Sequence, residues 1–433
     1  MTVLREVVLT GLGVVSPIGI GRASYWESLL AGRSGVQSLA AFDEAPFPAR
    51  CGGQITDFDA KFHVTPRKSL KVMSLETQWA FAAARLAGEE AGIRVGAVDP
   101  DRFGVVFGAD MIYCDPTELI AAFKAAIVDG TFDFSRWGPH AMGEMHPLWL
   151  LKYLPNMPAC HIGIAHDARG PNNSITLGEV SSLVAMSEGQ RLIERGAADV
   201  IITGGTGYRL NPMAWCFRTD DYLSCRFEDP AAACRPFDAD RDGTVLGDGA
   251  AAFVLESRGH AEARRAPVLA RLLSYASAYE PRPGARNGRR ETLGDTASSG
   301  AAIRRVIKLS LERAGLTARD IGHVNAHGLG TREHDRREAA AIRDLLGDVP
   351  VTALKSFFGN SGAGSGAIEA VASVLALQHG QIPFTLNYHR PDSACPVNVV
   401  SKAPAPLEKP TALLLNQSTI GQAVAIVLAG PNF

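Results

Sequence analysis

Two kinds of hydrophobic pattern alternate along the chain. Runs of four to six residues, apolar at nearly every position, occur at Val7–Thr10, Phe103–Phe107, Val200–Thr203, Ala251–Leu255, His323–Ala326, Ala412–Leu415 and Ala423–Leu428. Glycine flanks most of them, and short continuous apolar runs of this kind predict strands buried on both faces. Between them a helical period appears over Ala23–Ala31, Leu75–Ala91, Ser181–Arg195, Gly300–Ala314, Asp335–Leu345 and Gly366–Gln378. Strands alternating with helices predict βαβ units around a covered, largely parallel sheet. The progression over residues 1–255 recurs over 265–433 without the long insertions. The chain is therefore read as α/β in class, with two pseudo-symmetric halves, 1–260 and 261–433, and a site is expected where they meet.

Composition narrows the function classes. Lys+Arg number 43 against Asp+Glu 45, a net charge of −2, which argues against nucleic acid as the main partner. An apolar content of 46% over 433 residues excludes disorder. Seven scattered cysteines in so long a chain predict reduced thiols and not a disulfide scaffold. No run of 18 or more apolar residues offers a membrane span, and the N-terminus lacks a signal-peptide core and cleavage site, so a cytoplasmic location is expected. The stretch Glu280–Arg290, rich in Arg, Pro and Gly, reads as a mobile surface loop.

Several motifs carry little on their own. Gly11-x-Gly13 lacks the third glycine and the acidic residue of a dinucleotide fingerprint. Asp238–Gly243 has the look of a calcium loop, but Arg241 and a missing terminal Glu count against it. His161 and His166 lack partners at metal-ligand spacing, so no metal is expected.

A longer set of strings is more specific. In chain order come Val8–Gly21 (VLTGLGVVSPIGIG), Leu154–Asn156 (LPN), Gly170–Asn172 (GPN) and Ala198–Gly205 (ADVIITGG). Then follow Arg235–Gly249 (RPFDADRDGTVLGDG), Asn325–Thr331 (NAHGLGT), Lys355–Gly359 (KSFFG) and Gly366–Glu369 (GAIE). Together these resemble the elongating β-ketoacyl-ACP synthases of the thiolase superfamily. The resemblance implies a thiolase fold in an αβαβα layered arrangement, usually dimeric. It implies condensation of a cysteine-bound acyl chain with malonyl-ACP, the substrate riding on the carrier's phosphopantetheine, with no further cofactor.

Against that pattern the chain departs at three places. Counting from Gly170-Pro171, Glu179 falls where the resemblance implies the acyl-accepting cysteine, and no cysteine lies in that segment. A carboxylate is a poor acceptor, because its mixed anhydride hydrolyses readily. His327 matches the first of the family's two histidines, while Asn360 stands in place of the second. Asparagine is a neutral donor, and His-Asn sets in related synthases promote decarboxylation. The glycine-rich gating loop becomes Asn416–Val424, with Ile420 and Gly421 at the gate and oxyanion position.

Other roles follow from the same resemblance. Lys355 and Glu369 are implied to form a supporting ion pair, and Thr331 a pantetheine contact. Asp335 and Glu338 are read as capping the helix that follows. Arg67, Lys68 and Lys71, spaced to share one helical face, are implied to dock the acidic acyl carrier protein. The reading favoured by these residues is a protein of fatty acid or polyketide biosynthesis acting on malonyl- or acyl-ACP without a cysteinyl intermediate. Glu179, His327 and Asn360 are its site residues, and malonyl-ACP decarboxylation is its favoured reaction. The alternative is a non-catalytic subunit, like a chain-length factor, paired with a cysteine-bearing ketosynthase. A homodimer and a heterodimer both remain open at this point.

Overall fold

The computed structural model describes residues 4–39, 50–217, 223–226, 228–280 and 300–433. The arginine-rich stretch 281–290 lies outside them. Ten strands and seven helices position the site. In chain order they are β1 (Val7–Ser16), α1 (Arg22–Ala31), α2 (Leu75–Glu90), β2 (Phe103–Ala109), α3 (Met157–His166), β3 (Asn172–Ile175), α4 (Ser181–Glu194), β4 (Val200–Tyr208) and β5 (Asp248–Ser257). The second set is β6 (Ala270–Tyr279), α5 (Ala301–Ala314), β7 (His323–Asn325), α6 (Arg332–Leu346), β8 (Pro350–Thr352), α7 (Ser365–His379), β9 (Thr411–Gln417) and β10 (Gln422–Ala429).

The strand order is β3-β2-β4-β5-β1 in the first set and β8-β7-β9-β10-β6 in the second. Each strand thus has its counterpart five places on. The two sets meet where Val7–Leu9 of β1 pairs with Ala270–Leu272 of β6. Helices α4 and α7 pack on each other between the sets, while α2 covers β1 and β5 and α5 covers β6 and β10. This is the layered thiolase fold.

The sheet is mixed, not largely parallel. β2 runs parallel to β3 and β4, and β7 parallel to β8 and β9. The pairs β1–β5, β5–β4, β6–β10, β9–β10 and β1–β6 are antiparallel. A strand buried on both faces is continuously apolar in either orientation, so the hydrophobic pattern cannot carry direction. The apolar runs also missed β6, whose burial alternates along ARLLSYASAY, and β3, a polar edge strand with sequence NNSI.

Glycine permits the closest layer contact. A Cβ on Gly205 in β4 would stand 2.3 Å from the Ala363 carbonyl oxygen and 2.6 Å from Ser182 Cβ of α4. Backbone on one side and a packed helix on the other leave no room to yield. G205A is therefore expected to destabilise the fold by about 1–3 kcal/mol in urea unfolding.

Candidate active site

Both halves deliver their polar residues from the C-terminal ends of parallel strands, where open α/β sheets form crevices. In the first half Asp110 follows β2, Arg209 follows β4, and Glu179 lies between β3 and α4. In the second, His327 follows β7, Lys355 and Asn360 follow β8, and Asn416 lies near the end of β9.

Glu179 sits in a tight turn, Gly178–Val180, that leads straight into α4. Gly178 has φ +62°, which favours glycine, and Ser181 Oγ ties the turn by donating to the Gly178 carbonyl at 2.7 Å. The Glu179 side chain is buried, and its Oε1 lies 3.2 Å from Arg209 Nη2. Arg209 Nε donates to Asp110 Oδ2 at 2.8 Å, and the Ala363 N–H donates to the same oxygen at 3.2 Å. Arg209 and Asp110 were absent from the sequence reading, because no local pattern announces an ion pair between residues 99 positions apart.

The second cluster surrounds His327. Lys355 Nζ donates to Glu369 Oε1 at 2.6 Å and to the His327 carbonyl at 2.7 Å, and faces His327 Nδ1 at 3.2 Å. Asn416 Nδ2 donates to Glu369 Oε2 at 2.9 Å, which turns its Oδ1 toward the same His327 Nδ1 at 3.1 Å. Two neutral tautomers fit this ring: Nδ1–H donating to Asn416, or Nδ1 accepting from Lys355 with the proton on Nε2. Burial, reinforced by Lys355, holds the imidazole pKa well below its ordinary value. Burial pushes the Glu369 carboxyl up to about 7, with Lys355 opposing the rise.

Asp335 and Glu338 do not cap α6. Glu338 accepts from the His327 and Gly328 N–H groups at 2.8 and 2.9 Å, and Asp335 from those of Gly330 and Phe237 at 3.0 and 2.8 Å. Both are buried and hold the His327 loop in place from α6. Burial pushes Glu338 up to about 7 and Asp335 up to about 6.

Asn360 is buried, and its Oδ1 accepts from the Gly362 N–H at 3.0 Å and from Ser365 Oγ at 3.1 Å. With the oxygen so engaged, the carboxamide's donor capacity lies on Nδ2. The turn that follows, Gly362–Gly364, packs on the Glu179 turn. Thr331 is buried, with Oγ1 2.9 Å from His334 Nδ1. Ile420 and Gly421 form the tight turn between β9 and β10, where Ile420 is 58% exposed and the Gly421 N–H donates to the Ser418 carbonyl.

Arg67, Lys68 and Lys71 are all exposed on Arg67–Val72. That segment is a 3₁₀-helix and not the α-helix the spacing was read on. With three residues per turn, Lys68 and Lys71 align while Arg67 points about 120° away. The three therefore do not share one face.

With this geometry in view, the chain's relatives place it. Residues 4–261 match the family described as beta-ketoacyl synthase, N-terminal domain, and residues 284–389 match its C-terminal domain. The tetracenomycin polyketide synthase ketoacyl synthase alpha subunit of Streptomyces glaucescens is 34% identical over 433 residues, covering 99% of this chain and 98% of that protein. Among solved structures, a type II PKS acyl-carrier protein in complex with its ketosynthase bound to the hexaketide (AntDE:AntF) matches with a TM-score of 0.82 and 27% identity, covering 99% of each chain. The ishigamide ketosynthase/chain length factor gives the same TM-score of 0.82, identity of 27% and coverage of 99% of each chain. The chain belongs to the β-ketoacyl synthase family. It is a ketosynthase-family protein of polyketide or fatty acid synthesis. Among the described residues, no helix is long and apolar enough to cross a membrane.

Proposed function

We propose that this ketosynthase-family chain acts on malonyl-ACP without a cysteinyl intermediate, Glu179 standing in place of the acyl acceptor, and that its reaction is decarboxylation. The bond from the malonyl α-carbon to its carboxylate breaks, CO2 leaves, and the electron pair forms a thioester enolate. One proton taken up at the α-carbon then gives acetyl-ACP. The barrier lies in the negative charge that develops on the thioester oxygen, so the chemistry needs donors already oriented toward it.

The observation that carries this reading is the engagement of Lys355. Its ammonium has three protons, and Glu369, the His327 carbonyl and His327 Nδ1 are its three partners. Donation into Nδ1 leaves the ring proton on Nε2, which makes His327 a neutral donor. Asn360, with its oxygen occupied, supplies the second neutral donor through Nδ2. Glu179, engaged by Arg209, orients the substrate at the mouth of α4 and takes no acyl group. The test is acetyl-ACP and CO2 formation from purified malonyl-ACP; product no faster than in a carrier-only control rejects the proposal.

The carrier protein is the proposed partner, met by the exposed cations Lys68 and Lys71. K68E/K71E is expected to raise KM for malonyl-ACP several-fold at low salt while leaving kcat unchanged, with the difference shrinking as salt rises.

A second reading, a non-catalytic partner subunit, is favoured by the ion pair that immobilises Glu179. It gains support from the exposed edge strand β3 and from the exposed apolar side chains of the segment before α3, among them Phe123, Phe132, Phe134 and Leu150. That reading predicts a heterodimer with a cysteine-bearing ketosynthase on co-expression. A homodimer indifferent to such a partner in light scattering counts against it.

A further inference from the structure

Two side chains converge on one nitrogen of His327. Asn416 Oδ1, from β9, lies 3.1 Å from Nδ1, and Lys355 Nζ, from the turn after β8, lies 3.2 Å from it. One is an acceptor and the other a donor, so a single ring nitrogen cannot satisfy both. Neither is free to turn away. Asn416 Nδ2 donates to Glu369 Oε2 at 2.9 Å, which holds the carboxamide with its oxygen toward the ring. Lys355 Nζ is held by Glu369 Oε1 at 2.6 Å and by the His327 carbonyl at 2.7 Å. All four side chains are buried. From α6, Glu338 is taken up by the His327 and Gly328 N–H groups, and His334 adds to the effect of burial and Lys355 in keeping the imidazole uncharged. The conflict at Nδ1 is therefore settled by which nitrogen carries the single ring proton.

Lys355 favours the proton on Nε2, because an Nδ1–H would point at an ammonium. Asn416 favours it on Nδ1, because its oxygen otherwise faces a lone pair. A charge-assisted hydrogen bond is the stronger of the two, so the Nε2–H form is the major one. We propose that Asn416 is a positioning residue that sets the tautomer balance of His327, opposing Lys355 and keeping a minor population with the proton on Nδ1. The balance decides what the ring offers at Nε2, a donor in one tautomer and an acceptor in the other. Decarboxylation as read above uses the donor form, whereas the balance itself depends only on the ring's two neighbours and needs no substrate.

The ring nitrogens report the tautomer directly. Full-length protein labelled with 15N-histidine is compared by NMR at pH 8, where the Glu369 carboxyl, at about 7, is mostly ionised. The His327 signals are those lost in H327Q. The unmodified chain is expected to show Nε2–H with about a tenth of the ring as Nδ1–H. N416L fills similar volume without an acceptor, and should lower the Nδ1–H to Nε2–H ratio about fivefold, the factor that one neutral hydrogen bond of ordinary strength sustains. The two nitrogen shifts should then move in opposite directions, which a purely local change of surroundings does not produce. N416D keeps an oxygen facing Nδ1 and shares a proton with Glu369 through the other, so its Nδ1–H fraction should equal or exceed that of the unmodified chain. An unmodified chain with Nε2–H alone, an N416L ratio unmoved or raised, or N416D matching N416L overturns the proposal. Where N416L does not fold, the unmodified chain and N416D decide. An asparagine needed only for packing would lower urea stability on substitution and leave the ring proton in place. Because acetyl-ACP formation is not the readout, failure of the decarboxylation reading leaves this result standing.

Discussion

Replacing Lys355 by methionine is expected to lower the unfolding free energy by about 3–5 kcal/mol, the range for breaking a buried ion pair from one side. The ammonium is fully buried and serves Glu369, the His327 carbonyl and His327 Nδ1 at 2.6, 2.7 and 3.2 Å. Methionine fills similar volume and donates to none of them. The loss carries a pH signature. Burial raises the Glu369 carboxyl from its ordinary value to about 7 even with Lys355 opposing the rise. A carboxyl whose folded pKa exceeds its unfolded one contributes stability that is fully present below the unfolded value and is lost as pH rises through the folded value. Without Lys355 the folded value climbs further, so the loss continues to higher pH. The gap between K355M and the unmodified chain should therefore be narrow near pH 5 and wide near pH 8. Glu338 and Asp335 titrate in the same region, but their shifts arise chiefly from burial, which the substitution leaves in place. Urea unfolding at several pH values measures the gap, and one that does not change with pH would remove Glu369 from the explanation.

Truncating His327 to alanine is expected to slow acetyl-ACP formation from malonyl-ACP by about 100- to 1000-fold, the usual effect of removing one oxyanion donor. KM should change little, because the proposed docking cations, Lys68 and Lys71, are other residues. The neutral-donor assignment adds a pH expectation. Burial and Lys355 depress the imidazole pKa well below 6.5, so the ring is neutral through the physiological range. The rate should then show no loss with a midpoint near 6.5 attributable to His327. For stability the sign is opposite to that of Glu369: a depressed pKa contributes stability present above the unfolded value and lost as pH falls through the folded one. An acid limb near 6.5 that disappears in H327A would overturn the assignment.

Much of this site could be read from the chain before its coordinates were known. His327, Lys355, Asn360 and Glu369 lie in short strings that each belong to one local stretch: His327 just past β7, Lys355 and Asn360 after β8, and Glu369 near the start of α7. Counting from Gly170-Pro171 singles out Glu179, and the structure places that residue, buried, in the turn that leads into α4. Arg67, Lys68 and Lys71 lie on a 3₁₀-helix and not on the expected α-helix, since a period read over five residues does not separate the two. Asp335 and Glu338 were misread as caps because acidic residues early in a helix have two uses. Only the neighbouring loop at His327–Gly330 shows which applies.

The sequence by itself determined most of the central strands and helices, that the chain is built twice over, and which motif strings flank them. Those follow from local periodicity and from residues close together in the chain. Tertiary structure alone decided the direction of each strand, the burial of Glu179 and its pairing with Arg209. It also decided the hold of Asp110 on the Ala363 end of the Asn360 loop. These depend on groups brought together by packing the C-terminal ends of separate strands. An ion pair between distant residues leaves no periodic trace, so its partners become visible only once the layers are assembled.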